Sequence, residues 1–139
     1  MPNEIVVVSE PSEAEYEAIV APLRAYNEAK GGPSGYMPIA FLLRDSNGAN
    51  VGGLWGKIAY DWLFVDLLFV PENSRGSGIG SKLLSKAEHL AKERNCVGAW
   101  LDTHSFQAPN FYSRNGYQVF GTLDDYPRGA RRIFYRKLF

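Results

Sequence analysis

Between Val70 and Leu83 the chain reads V-P-E-N-S-R-G-S-G-I-G-S-K-L. Gly76, Gly78 and Gly80 alternate with Ser77 and Ile79, after an apolar run and before a helical pattern. Glycine has no Cβ, so an anion's oxygens can approach such a backbone closely. The first amides of a helix lack intrahelical acceptors and carry the positive end of its dipole. A strand that passes through a glycine-rich loop into a helix is therefore suited to a bound phosphate. Here the loop is expected to hold a pyrophosphate.

Two classes of nucleotide compete for that loop. Gly76, Gly78 and Ser81 give G-x-G-x-x-S, close to the dinucleotide fingerprint, with Asp102 about the expected distance onward. Against it, Pro71 to Arg75 intervene between strand and first glycine. A chain of 139 residues also has little room for two mononucleotide halves and a substrate domain. A redox dinucleotide enzyme is the more distant reading.

Arg75-Gly76-Ser77-Gly78-Ile79-Gly80 resembles the R/Q-x-x-G-x-G/A signature of the GNAT superfamily of acyl-CoA-dependent N-acyltransferases. Further on, Ala108-Pro109-Asn110-Phe111-Tyr112-Ser113-Arg114-Asn115-Gly116-Tyr117 is similar to that family's later motif. There an alanine is followed by an aromatic-Tyr pair and then Gly-Phe/Tyr. The two motifs span roughly the C-terminal half, and the text from Asp102 to Pro127 resembles small bacterial members. The N-terminal third matches only in its order of elements. One departure is visible: Ser105 stands where the family often has an asparagine that bonds the pantetheine.

The resemblance implies acetyl-CoA as co-substrate and an amine as acceptor. Arg75, Gly76, Ser77, Gly78, Ile79, Gly80 and Ser81 would wrap the pyrophosphate. The backbone of Leu68, Phe69 and Val70 would align the pantetheine and thioester between two parallel strands that splay apart. A main-chain amide near Phe69 or Val70 would serve as oxyanion donor, and Tyr112 as the acid that protonates the departing thiolate. A phenol with a pKa near 10 is protonated at neutral pH and can donate to sulfur.

The residues themselves leave the base open. Asp66 breaks an apolar strand and by alternation shares a face with Leu68 and Val70. It reads as a base acting through water or as a cross-strand partner of Lys57. Asp102 ends the neighbouring parallel strand and reads as a base, an acceptor anchor or a cap for the next turn. His104 is a proton carrier by intrinsic pKa or a surface loop residue. Arg75 meets a phosphate or braces its own loop. Lys82, Lys86 and Arg114 are candidates for a 3′-phosphate or ordinary solvent-facing charges. Cys96 has no activating neighbour in the sequence, and no metal site is expected.

These residues need a scaffold. Ile5-Val6-Val7-Val8 within Glu4 to Ser9 reads as a strand. Ser12 and Glu15 form a capping box before a helix carrying Tyr16, Ile19, Val20, Leu23 and Tyr26, with Pro22 predicting a kink or break. Lys30 to Gly35 is a loop, either a lid or a connection. Met37 to Arg44 and Val51 to Tyr60 form a hairpin around Asn47-Gly48, with Gly52, Gly53 and Gly56 marking a bulge or close approach. Trp62 to Val70 is a buried strand. Ser81 to Arg94 is an amphipathic helix that faces Leu83, Leu84, Ala87, Leu90 and Ala91 inward. Val97 to Thr103 is a strand parallel to its predecessor. A short helix over Pro109 to Asn115 and strands over Tyr117 to Leu123 and Ala130 to Phe139 complete the chain.

The expected fold is thus α/β, a single GNAT-like domain over residues 1–139. A central mixed sheet of six to seven strands is flanked by about four helices. Fifteen basic and fifteen acidic side chains cancel, which argues against a nucleic-acid partner. No segment has the pattern of a signal peptide or membrane span, so a cytoplasmic protein is expected. Asp66, Asp102, Asp124 and Asp125 would suit a cationic acceptor; Tyr36, Trp55, Tyr60 and Trp62 would suit an aromatic one. Exposed edge strands suggest a homodimer. The competing class is a non-catalytic acyl-CoA-binding or regulatory protein on the same fold.

Overall fold

Ser12 opens a helix where its spacing predicts, α1 at Glu13–Gly31. The Ser12 hydroxyl donates to the Glu15 carboxylate and does not itself cap a helix amide. The computed structural model describes residues 2–139 and divides into two units, one ending at Ser34 and one spanning Gly35–Phe139. In the first unit α1 runs unbroken through Pro22, so of the expected kink or break the structure excludes the break. Proline removes one amide from the ladder, and the turns on either side persist. The helix also includes Gly31 and stops at Gly32, whose φ of 81° only glycine adopts easily.

Residues 4–9 form no strand, against expectation. A β-branched run has strand propensity, but a strand exists only through a hydrogen-bonded neighbour, and this unit contains no second one.

The second unit is built on a sheet of six strands. β1 (Met37–Arg44) and β2 (Asn50–Ala59) pair antiparallel across the expected hairpin. Asp45 holds the turn: its carboxylate accepts from the amides of Asn47 (2.9 Å) and Ala49 (3.0 Å). A tight turn at Tyr60 and Asp61, both at positive φ, returns the chain antiparallel as β3 (Trp62–Phe69). The glycines of β2 mark close approach, and a bulge interrupts the ladder beside Gly56, but its extra residue lies in β3 rather than in the glycine-bearing strand. Trp55 pairs with Leu67 and Gly56 with Val65, leaving Asp66 as an extra residue in β3. A Cβ on Gly56 would lie 2.5 Å from the Phe64 carbonyl oxygen, so only glycine fits there.

α2 (Ile79–Glu93) carries the chain over the sheet to β4 (Gly98–His104), parallel to β3. α3 (Pro109–Arg114) follows, then β5 (Gln118–Asp124) and β6 (Arg131–Leu138). β6 inserts beside β4, giving the order β1-β2-β3-β4-β6-β5. The described residues therefore contain three α-helices and a single 3₁₀ turn at Glu72–Ser74, fewer helices than expected. Leu83, Leu84, Ala87 and Ala91 of α2 close the core over Leu54, Leu63, Val65, Ala99, Leu101 and Tyr135. Each buried leucine contributes roughly 1.5–3 kcal/mol. Among the described residues no helix is long and apolar enough to cross a membrane.

Candidate active site

β3 and β4 pair from Trp62↔Gly98 to Val65↔Leu101 and then part. β3 continues to Phe69 and β4 to His104 without a bond between them. The parting starts at the Asp66 bulge, and a bulge bends its strand and steepens the local twist. The β4-facing backbone of Asp66 to Phe69 is thereby left without a β4 partner. Leu68 and Val70 pack their side chains toward the core, leaving their main chain along the opening.

The glycine loop begins where β3 ends. Arg75 Nε donates to the Val70 carbonyl oxygen (2.9 Å) and the guanidinium lies 5.8 Å from the Phe69 ring centre, so Arg75 braces the turn. Ser77 Oγ donates to the Ser74 carbonyl oxygen (2.6 Å). Gly76 and Gly78 have φ of 81° and 83°, and nothing lies within 4 Å of where their Cβ atoms would be. The first bond into α2 runs from the Lys82 amide to the Gly78 carbonyl oxygen (3.0 Å). The amides of Ile79, Gly80 and Ser81 precede it, and no side chain caps them. Open space, bare backbone and a positive dipole end fit a diphosphate.

The two sequence motifs meet at Gly80. A Cβ there would lie 3.1 Å from Phe111 Cζ, so the missing side chain lets α3 seat against the first turn of α2. Tyr112, the next residue, packs half-buried beside Tyr117 and Tyr135. Burial, then the nearby Asp102 charge and Tyr135, push the Tyr112 hydroxyl up to about 12. The phenol therefore stays protonated across the physiological range.

The two aspartates have different surroundings. Asp66 is exposed, and among the described residues it has no ion pair. Its predicted face is corrected by the bulge: Leu68 and Val70 point to the core while Asp66 points away. Lys57 lies opposite Phe64 and over its ring, so the proposed pair with Asp66 is not formed. Asp102 Oδ1 receives Arg132 through Nε (2.6 Å) and Nη2 (2.5 Å). Arg132 Nη1 donates in turn to the Tyr126 hydroxyl (2.7 Å). Asp102 is thus an ion-pair residue across β4 and β6 rather than a turn cap. The Gln107 side chain takes the capping place, accepting from the His104 amide (2.7 Å) and the Thr103 hydroxyl (2.7 Å).

A profile of the acetyltransferase (GNAT) family matches residues 8–117. The chain belongs to that family. A curated acetyltransferase of Agrobacterium fabrum is 41% identical over 134 residues, covering 96% of this chain and 98% of its own. A blasticidin-S acetyltransferase of Streptomyces morookaense is 46% identical over 83 residues, 59% of this chain and 61% of its own. A crystal structure from Agrobacterium tumefaciens superposes with a TM-score of 0.90 at 39% identity, covering 99% of this chain and 100% of its own. Members of the GNAT family use acetyl-CoA as co-substrate.

The remaining candidates separate on partners. His104 Nδ1 donates to the Tyr126 carbonyl oxygen (3.1 Å) and its ring stacks on Phe106, which ties two loops together. Ser105, where the GNAT pattern often has asparagine, accepts from the Arg131 amide through Oγ (2.9 Å). Lys82, Lys86 and Arg114 are exposed with their charges in solvent. Cys96 is buried, and its thiol is pushed up by burial and by Asp61, which makes it a poor nucleophile. Among the described residues no group of three or more His, Cys, Asp or Glu could hold a metal ion. Sequence reasoning passed over Arg132, Tyr126 and the buried Glu88, whose partners all come from distant segments.

Proposed function

We propose that this GNAT protein moves the acetyl group of acetyl-CoA directly onto a primary amine of a small molecule or peptide. The observation that carries the reading is the alignment of three features. The unpaired edge of β3 leads into the free amides of α2, and the α3 segment bearing Tyr112 seats on that same turn. In this reading Ile79, Gly80 and Ser81 hold the diphosphate through their amides. Leu68 to Val70 offer main-chain groups to the extended arm, as an edge strand does to an added one. An amide at Phe69 or Val70 faces the negative charge that develops on the thioester oxygen. Tyr112 supplies the proton to sulfur, which its place on the helix seated against the first turn of α2 supports.

Asp66 is the better base of the two aspartates, since Arg132 already holds Asp102. An aliphatic ammonium has a pKa of about 10, so a carboxylate acting through water eases its deprotonation. The family match runs across both units of the chain, which supports one catalytic domain. The lone cysteine, which leaves no intramolecular disulfide, supports a cytoplasmic enzyme. A homodimer is proposed on the edge strand β5, where Val119, Phe120 and Leu123 stay exposed. Sedimentation showing monomer alone at working concentration would end that suggestion.

A panel of amines, blasticidin S first, is incubated with acetyl-CoA while free thiol is followed. Thiol release that requires a particular amine supports the enzyme. Coenzyme A binding without release from any amine would favour the acyl-CoA-binding protein instead.

A further inference from the structure

Glu88 is the buried acidic side chain of the described residues, 6% exposed on the inner face of α2. A buried carboxylate costs several kcal/mol in lost hydration unless its oxygens are matched. Here both are: Oε2 accepts from the Tyr117 hydroxyl (2.8 Å) and Oε1 from Lys137 Nζ (2.8 Å). An apolar residue at this position would pack α2 equally well, but it would give neither donor a direction.

Both donors lead back to Tyr112. The Tyr117 amide donates to the Tyr112 carbonyl oxygen (3.0 Å), closing the turn behind the helix. Lys137 Nζ also donates to the Asn115 carbonyl oxygen (3.1 Å), at the cap of α3. α3 has six residues, too few to keep a conformation unaided. Its front is held by Phe111 against Gly80 and by the Tyr135 hydroxyl on the Pro109 carbonyl oxygen (3.1 Å). Its rear is held through Glu88. We propose that Glu88 is a positioning residue for Tyr112, locking the helix that carries the phenol to the helix whose free amides face the diphosphate. The inference rests on the catalytic reading of Tyr112 given above.

The test is a double-mutant cycle on the full chain, with the amine that the panel identifies. Glu88→Gln keeps the shape and removes the charge. It should lower kcat on the order of ten- to a hundredfold, the effect of small misplacement of a reacting group. The KM for acetyl-CoA should stay within about twofold, because binding is left intact. Tyr112→Phe should lower kcat further, and the double variant should be no slower than Tyr112→Phe alone. That lack of additivity is what a general loosening of the fold would not produce. Wild-type kcat for Glu88→Gln beside a slow Tyr112→Phe overturns the proposal, as does a double variant showing the product of both losses. Wild-type turnover of Tyr112→Phe would remove the acid itself, and this proposal with it. If Glu88→Gln does not fold, Tyr117→Phe enters the same cycle, since it keeps the ring and leaves Glu88 its lysine.

Discussion

Tyr112 can act as an acid only while it keeps its proton, and its surroundings raise that threshold from 10.0 to about 12. Replacing it with phenylalanine should cut kcat on the order of 10²–10⁴-fold while acetyl-CoA affinity holds, as read from initial rates. The raised value has a second consequence, for stability. The unfolded chain loses this proton near pH 10 and the folded chain near pH 12, so Tyr112 contributes a loss of stability as pH climbs through that window. Thermal melts between those values should fall less steeply in Tyr112→Phe. The aspartates divide in the same experimental terms. Asp102→Asn leaves Arg132 without its partner and should cost about 1–3 kcal/mol, seen as a lower Tm. Asp66→Asn, at an exposed site, should leave Tm unchanged and lower turnover at neutral pH, where the acceptor amine is already almost fully protonated, with the deficit shrinking as pH rises toward the ammonium pKa of about 10. A Tm loss in Asp66→Asn with none in Asp102→Asn would reverse these roles.

Among the elements, the turn from β3 into α2 was plain in the sequence because its requirements are local. Two positive-φ glycines and a helix start lie within a few residues, and no distant partner decides them. The α2–β4 crossover was equally readable from its apolar stripe. Elements that depend on remote pairing were not. Ile5 to Val8 has the composition of a strand, yet no neighbouring strand in its unit bonds it. Strict alternation puts Asp66 on the wrong face because it ignores a bulge, and a bulge is defined by the register of the opposite strand. Glu88 escaped notice because its partners stand 29 and 49 positions away. Gly80→Ala tests the junction of the two motifs. Better helix propensity favours alanine by about 1 kcal/mol, while overpacking against Phe111 costs about 1–3. The expected result is a modest change in Tm with a larger fall in kcat, as α3 is pushed off its seat.

At the scale of the whole molecule, a sheet that opens in its middle has an uneven resistance to solvent. Amide protons in the paired stretch Trp62 to Val65 should exchange with deuterium slowly, on the timescale of global opening. Those of the next few residues that face the vacant side need no opening at all and should exchange quickly. Acetyl-CoA laid along that side should slow them selectively, leaving the outer strands β1 and β5 as they were. The deuterium pattern would thus outline the ligand's path residue by residue, without any need for turnover. The same reasoning makes the protein without ligand the more aggregation-prone form, since its exposed ladder groups are free to recruit another chain, and acetyl-CoA bound in the proposed pose would cover them.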